Sequence, residues 1–289
     1  MALLFVIVVL YGCNNSEEKT APITTTETDS KANTEPPTPV ETKPSVSYTL
    51  LISKDSIKKF IKTADTNNLK IIALINRVDV KFLKRFDTLV IPSDFSEEIK
   101  NYFPFPLEAP FLENVKKIIF FSYPSQSFAA YENGKLVYTG PTSMGRKADM
   151  TPTGLFYTNW KAEKTISTFN DEWELKWNFN IENKLGVGFH QYEMPGYPAS
   201  HSCLRLTEKD AKYLYEWADQ WTLKGTDNIL AKGTPVVVFG SYPFGNSKPW
   251  LSLGNNKNAL DISVIELENT TKPFLGDVLM QQDKKEKIK

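Results

Sequence analysis

Between Lys116 and Phe239 the chain is written in short runs rich in aromatic and β-branched residues, and the punctuation between those runs dictates how they fold. KKIIFF, QSFAAYE, KLVYTG and GLFYTNW are each of strand length. Glu132-Asn133-Gly134-Lys135 separates two of them by a hairpin signal, because Asn-Gly tolerates the positive φ of a tight turn. Thr151-Pro152-Thr153-Gly154 breaks the next connection. These spacings predict a mainly β domain over 116–240 built on a mostly antiparallel sheet, with TPVVVF (234–239) as its buried last strand. One helix interrupts the pattern. Thr207-Glu-Lys-Asp210 resembles a capping box, Leu206 is placed to staple onto Ala211, and Ala211, Leu214, Tyr215 and Ala218 share a face. A helix over 208–221 is therefore expected, pinning the loop before it against the sheet.

The flanks read differently. Met1 to Cys13, MALLFVIVVLYGC, is too short an apolar run to span a bilayer but suits the apolar region of an export signal. A small residue before a cysteine at its end resembles a bacterial lipoprotein processing box, which implies lipidation of Cys13 and an exported, lipid-anchored protein of the cell envelope, in the periplasm or at the outer membrane. Residues 14–47 are Thr, Pro, Glu, Lys, Ser and Asn without an aromatic, too polar to offset their ordering entropy, and are expected to be a disordered tether. Residues 48–92 read as a small α+β module: YTLLI a strand, Ser53 an N-cap before Ile57, Phe60, Ile61 and Ala64, NLKIIALIN a second helix, DTLVIP a closing strand. That strand–helix–helix–strand order resembles a LysM module, which implies contact with glycan strands, although Phe86 stands where a turn glycine is usual; a packing or spacer unit reads equally from the residues. Residues 93–115 form a Pro- and aromatic-rich connector, and residues 241–289 an extension without a legible site whose end is expected to be solvated.

Charge excludes one class of function. With 34 basic and 34 acidic residues there is no electrostatic grip on nucleic acid. Cysteine and histidine point to another. The only cysteines are Cys13 and Cys203, and the only histidines, His190 and His201, both lie near Cys203. If Cys13 carries lipid, Cys203 has no partner for a disulfide within the chain, and an idle thiol in an oxidising compartment is a liability. A thiol becomes a nucleophile when a base lowers its pKa, and histidine titrates in the right range. Pro195, Gly196 and Pro198 force turns that can bring His190 back beside Cys203. His201 is placed to flank a reacting carbonyl, the N–H groups of Ser202 and Cys203 to hold an oxyanion, and Arg205 to anchor a carboxylate or brace the loop. Two other readings use the same residues: a buried structural cysteine, and a zinc site of His190, His201 and Cys203 closed by Glu193. Neither a metal nor a cofactor is expected. Trp160, Trp173 and Trp177, between Tyr157 and Gly186, fit a lid over a cleft or ordinary hairpin and core positions.

GVGFHQYEMPGYPASHSCLRL (186–206) closely resembles the active-site region of the L,D-transpeptidase catalytic domain (YkuD-like family), where a histidine is followed, after a variable loop, by serine, histidine, glycine, cysteine and arginine. SQSFAAYENGKLVYTGPTSMGRKADMTPTGLF is similar to that family's opening strands, including a T-P-x-G turn. The resemblance covers roughly 116–240 and implies a β-sandwich with a short packed helix. It implies Cys203 as nucleophile, His190 as base with the Gln191 carbonyl orienting its ring, and His201 with the Ser202 and Cys203 amides at the oxyanion. It implies contact of Arg205 and Tyr192 with substrate. The partners implied are peptidoglycan stem peptides: attack on a tetrapeptide stem releases D-alanine and leaves a thioester, which an acceptor amine resolves into a cross-link. Carbapenem-type β-lactams should acylate the same sulfur. With water as acceptor the site is an L,D-carboxypeptidase, and with a spoiled oxyanion pocket the chain is a non-catalytic wall-binding lipoprotein. Ser202 stands where the family has glycine, and Gln191 where it has glycine or serine. If that glycine adopts positive φ, serine there costs about 1 kcal/mol or more.

Overall fold

Residues 43–167 and 173–288 are described by a computed structural model. The expected export segment, Cys13 and most of the expected tether lie outside the described residues. All described residues belong to one unit.

The amino-terminal part runs β1 (Tyr48–Ile52), α1 (Lys54–Thr63), α2 (Thr66–Ile75) and, after a 3-10 turn at Val80–Arg85, β2 (Thr88–Pro92). β1 and β2 pair antiparallel, Leu50 opposite Val90. Ser53 caps α1, its Oγ accepting from the Ser56 N–H at 3.3 Å, and Ile57 one turn on is fully buried. Residues 43–47, expected at the end of the tether, are instead packed: Val46 is buried, and Lys43 Nζ donates to the Phe103 carbonyl at 2.6 Å. An apolar Val and a long Lys stem tie them down.

Strands β3 (Ile118–Ser122), β4 (Ser127–Glu132), β5 (Lys135–Pro141), β6 (Gly154–Tyr157), β7 (Lys161–Ile166), β8 (Glu174–Glu182), β9 (Val187–Gln191) and β10 (Leu204–Leu206) follow. Then come α3 (Glu208–Trp217), the small hairpin β11 (Thr222–Lys224) and β12 (Asn228–Ala231), and β13 (Pro235–Phe239). One sheet has the order β5-β4-β3-β13-β6, the other β10-β9-β8-β7. Most pairs are antiparallel as expected, but β3–β13 and β9–β10 are parallel. Parallel pairing needs a long return path, and in both cases the connection leaves the sheet and comes back, which local turn signals do not reveal.

The two sheets face each other across a core of Ile119, Phe121, Phe128 and Ala130 from one and Phe179, Ile181, Val187 and Phe189 from the other, with Leu206, Ala211 and Leu214 at its side. Alternation sends Ile118, Phe120, Ala129 and Tyr131 to the opposite face, where a second core forms with Phe105, Leu112, Ile262, Leu267 and Val278. The five-stranded sheet is thus covered on both faces, the physical reason that β3 reads as an unbroken apolar run. Covering the outer face falls to the connector and to α4 (Val264–Thr271) and α5 (Leu275–Glu286). The carboxyl-terminal extension is therefore packed structure up to its end, where residues 283–288 are largely exposed as expected; its buried residues are few and widely spaced, so charge dominates the sequence of α5. The capping of α3 is as expected, with Thr207 Oγ1 accepting from the Asp210 N–H at 3.3 Å. The helix stops at Trp217 rather than Trp221 because the next stretch docks elsewhere, the Asp219 carbonyl accepting from the Thr234 N–H at 3.1 Å. No described helix is long and apolar enough to cross a membrane.

Candidate active site

β9 and β10 bring the reactive residues together. Their parallel register sets Arg205 opposite His190 and Leu204 opposite Phe189, and Cys203 stands immediately before β10. Cys203 and His190 line the same cavity of about 520 Å³.

His190 is almost wholly buried, and its Nδ1 lies 2.9 Å from the Gln191 carbonyl oxygen. A carbonyl only accepts, so Nδ1 carries the proton and donates, which leaves Nε2 as the basic nitrogen. Burial, only partly opposed by that hydrogen bond, lowers the His190 pKa to about 4. The imidazole is neutral at physiological pH and free to take a proton. Cys203 Sγ lies 3.7 Å from the Gly186 carbonyl. Burial pushes its thiol pKa up against the opposing pull of the Gly188 N–H and Arg205. The sequence reading expected a neighbouring histidine to lower that pKa; desolvation outweighs the opposing pull, so the thiol is pushed up rather than down.

The turn before the sulfur is fixed from the segment between β5 and β6. Thr151 Oγ1 donates to the Ser202 carbonyl at 2.8 Å and accepts from the Gly145 N–H at 2.9 Å. Ser200 exchanges backbone hydrogen bonds with Met144 and Arg146, and its hydroxyl donates to the Cys203 carbonyl. Ser202 has φ 76, the left-handed region that favours glycine. His201 packs its ring 5.2 Å from that of Trp173, with Nε2 4.0 Å from an Asp149 carboxylate oxygen. Its pKa is lowered by burial and by Arg146.

Arg205 braces the loop. Its guanidinium lies 4.4 Å over the Tyr192 ring and its Nη1 donates to the Glu193 carbonyl at 3.5 Å. Tyr192 stands edge-on to His190, ring centres 6.0 Å apart. Glu193, the carboxylate a zinc site would recruit, pairs with Lys81. Among the described residues no group of three or more His, Cys, Asp or Glu side chains is arranged to hold a metal ion.

β7 and β8 pair antiparallel, and residues 168–172 between them lie outside the described residues. The three tryptophans divide: Trp160 and Trp173 line the cavity, whereas Trp177 packs into the core against Tyr215. Asn178 also lines the cavity and was not singled out from sequence. A bulge directs it there: Trp177 has φ 53 and the β8–β9 register shifts between Lys176 and Phe179. The signal available was the asparagine interrupting the aromatic run WNFN.

A histidine on β9 and a cysteine just before β10, at one cavity of a two-sheet domain, are the residue types that cysteine-dependent acyl transfer uses. Residues 116–238 match the YkuD family model, the L,D-transpeptidase catalytic domain, and this part of the chain is a domain of that kind. Among solved structures, the chain is similar to an L,D-transpeptidase from Stackebrandtia nassauensis, at 24% identity and a TM-score of 0.36 over 44% of this chain and 57% of that one. Similar too are an L,D-transpeptidase from Mycobacterium tuberculosis (20%, TM-score 0.35, 43% of this chain and 58% of that one) and one from Enterococcus faecium (23%, 0.34, 43% and 50%). The match therefore spans less than two thirds of each of these chains. No curated protein matches the chain.

Proposed function

We propose that the protein is a peptidoglycan L,D-transpeptidase. The observation that carries this reading is the fixed tautomer of His190, whose Nδ1 is held by the Gln191 carbonyl so that Nε2 is basic beside the cavity that Cys203 also lines. Nε2 takes the Cys203 proton as sulfur attacks the carbonyl of the third residue of a tetrapeptide stem. The N–H groups of Ser202 and Cys203, with His201 alongside, hold the developing oxyanion. Collapse breaks the bond to D-alanine, whose amine takes the proton from His190, and a thioester stays on Cys203. An acceptor amine then gives its proton to His190, attacks the thioester carbonyl and expels sulfur, forming the cross-link. Arg205 and Tyr192 contact the stem. Water in place of the amine gives L,D-carboxypeptidase activity.

The same reading gives the flanks their roles: export and lipidation at Cys13, a tether in the cell envelope, and a LysM-like unit over 48–92 that contacts glycan strands. Incubation with a disaccharide tetrapeptide and mass analysis should detect loss of D-alanine, and Cys203→Ala should abolish it. A carbapenem should add its mass to the wild type and not to Cys203→Ala. Wall binding without any release of D-alanine would instead support a non-catalytic wall protein.

A further inference from the structure

The loop from His190 to Cys203 is held from outside the catalytic domain. Asp79 stands at the N-cap of the 3-10 turn Val80–Arg85, where an aspartate ordinarily accepts from an N–H of its own turn, yet its side chain makes no such bond. Its carboxylate reaches out to accept from the Met194 N–H at 3.0 Å, while its own N–H donates to the Met194 carbonyl at 2.9 Å. Val78 and Pro195 form an isolated antiparallel bridge beside this pair, and Lys81 meets Glu193. Gly196 lies so close to Phe86 that a Cβ would sit 2.6 Å from the ring, at a φ of 83. Four consecutive loop positions, 193 to 196, are thus seated on residues 78 to 86.

On its other side the same loop is held by Arg205 at Tyr192 and Glu193, and by the Tyr192 N–H donating to the Leu206 carbonyl at 3.1 Å. The Gln191 carbonyl that fixes Nδ1 of His190 belongs to the peptide that opens this loop, three positions before Met194. The chain continues from that peptide directly into the loop, and Met194 is where the amino-terminal part holds it.

We propose that Asp79 is a positioning residue for the His190 imidazole, acting through its paired hydrogen bonds to Met194. It touches neither substrate nor sulfur. With the acceptor removed, the Gln191 carbonyl loses its fixed place, Nδ1 loses its constant partner, and Nε2 addresses Cys203 in only part of the population. This rests on His190 serving as the base of the proposed transpeptidase.

The test compares the full chain as wild type, Asp79→Ala and Asp79→Asn in two readouts: the rate of Cys203 alkylation by iodoacetamide against pH, and kcat and KM for D-alanine release. Asp79→Ala should lower kcat roughly tenfold or more, since small misplacements of reacting groups cost that much, with KM changed by less than about twofold. Its alkylation at neutral pH should slow in step. Asp79→Asn keeps a carbonyl oxygen for the Met194 N–H and should restore both rates to within about twofold of wild type. Wild-type rates in Asp79→Ala, or an Asn variant as slow as the Ala variant, would overturn the proposal. A wild type that releases no D-alanine refutes the transpeptidase reading alone, and alkylation still decides whether Asp79 orders the imidazole. If Asp79→Ala does not fold, amide exchange in the wild type decides: protection at Met194 comparable to that in β9 is expected, and exchange as fast as an open loop overturns the inference.

Discussion

Ser202 carries the most telling backbone angle in the molecule, because φ 76 at a serine between the second histidine and the cysteine places a side chain where glycine is favoured. Left-handed backbone costs an ordinary residue about 1–2 kcal/mol, and glycine returns about 0.5–1 kcal/mol of that through the entropy of the unfolded chain. Ser202→Gly should therefore raise unfolding stability by up to about 1 kcal/mol, read by denaturant titration. His190 gives a pH dependence. Its folded pKa of about 4 lies below the ordinary 6.5, so between those values the unfolded chain binds more protons. Stability is full above pH 6.5 and declines as pH falls toward 4, by roughly 3 kcal/mol from this group. In His190→Gln that part of the slope should vanish from stability curves measured between pH 7 and 4. These residues were legible from sequence because their types are scarce: two histidines near one thiol, beyond Cys13 the only other in the chain, leave few alternatives. Their protonation was not legible, since it is decided by how deeply β9 lies in the core.

At the scale of elements, the segment between β5 and β6 acts as a template for the turn that bears the sulfur. Thr151 joins the two, one hydroxyl linking the Ser202 carbonyl and the Gly145 N–H. Thr151→Val keeps the shape and deletes both bonds, leaving partners with desolvation costs of about 1–3 kcal/mol. D-alanine release should fall about tenfold, with a drop in melting temperature, and Thr151→Ser should recover most of both. Sequence marked this place only as a turn with proline and glycine, because a hydroxyl bond spanning 51 positions has no local signature. The β4–β5 hairpin was legible for the opposite reason: Asn133 and Gly134 at φ 45 and 76 are a wholly local device. Asn178 escaped notice because a bulge decides which way it faces.

At the scale of the whole molecule, the connector and the extension are one device, closing the outer face of the five-stranded sheet. Leu267 and Val278 are buried against it, each worth about 2 kcal/mol. Deleting residues 264–289 should bare Phe120 and Tyr131 and yield protein that aggregates or unfolds far below the full chain's melting temperature, as light scattering during a thermal ramp would reveal. The sequence concealed this because the helices present narrow apolar stripes among charges, and because their partner face is built more than a hundred residues earlier. A related consequence concerns order of synthesis. β13 lies between β3 and β6 yet follows both in the chain. Until it arrives, the nascent sheet has a slot at its centre with two unsatisfied edges, each a template for any passing strand. A protein so built must be kept from folding, or from meeting its own copies, until its last strand is available to fill the gap.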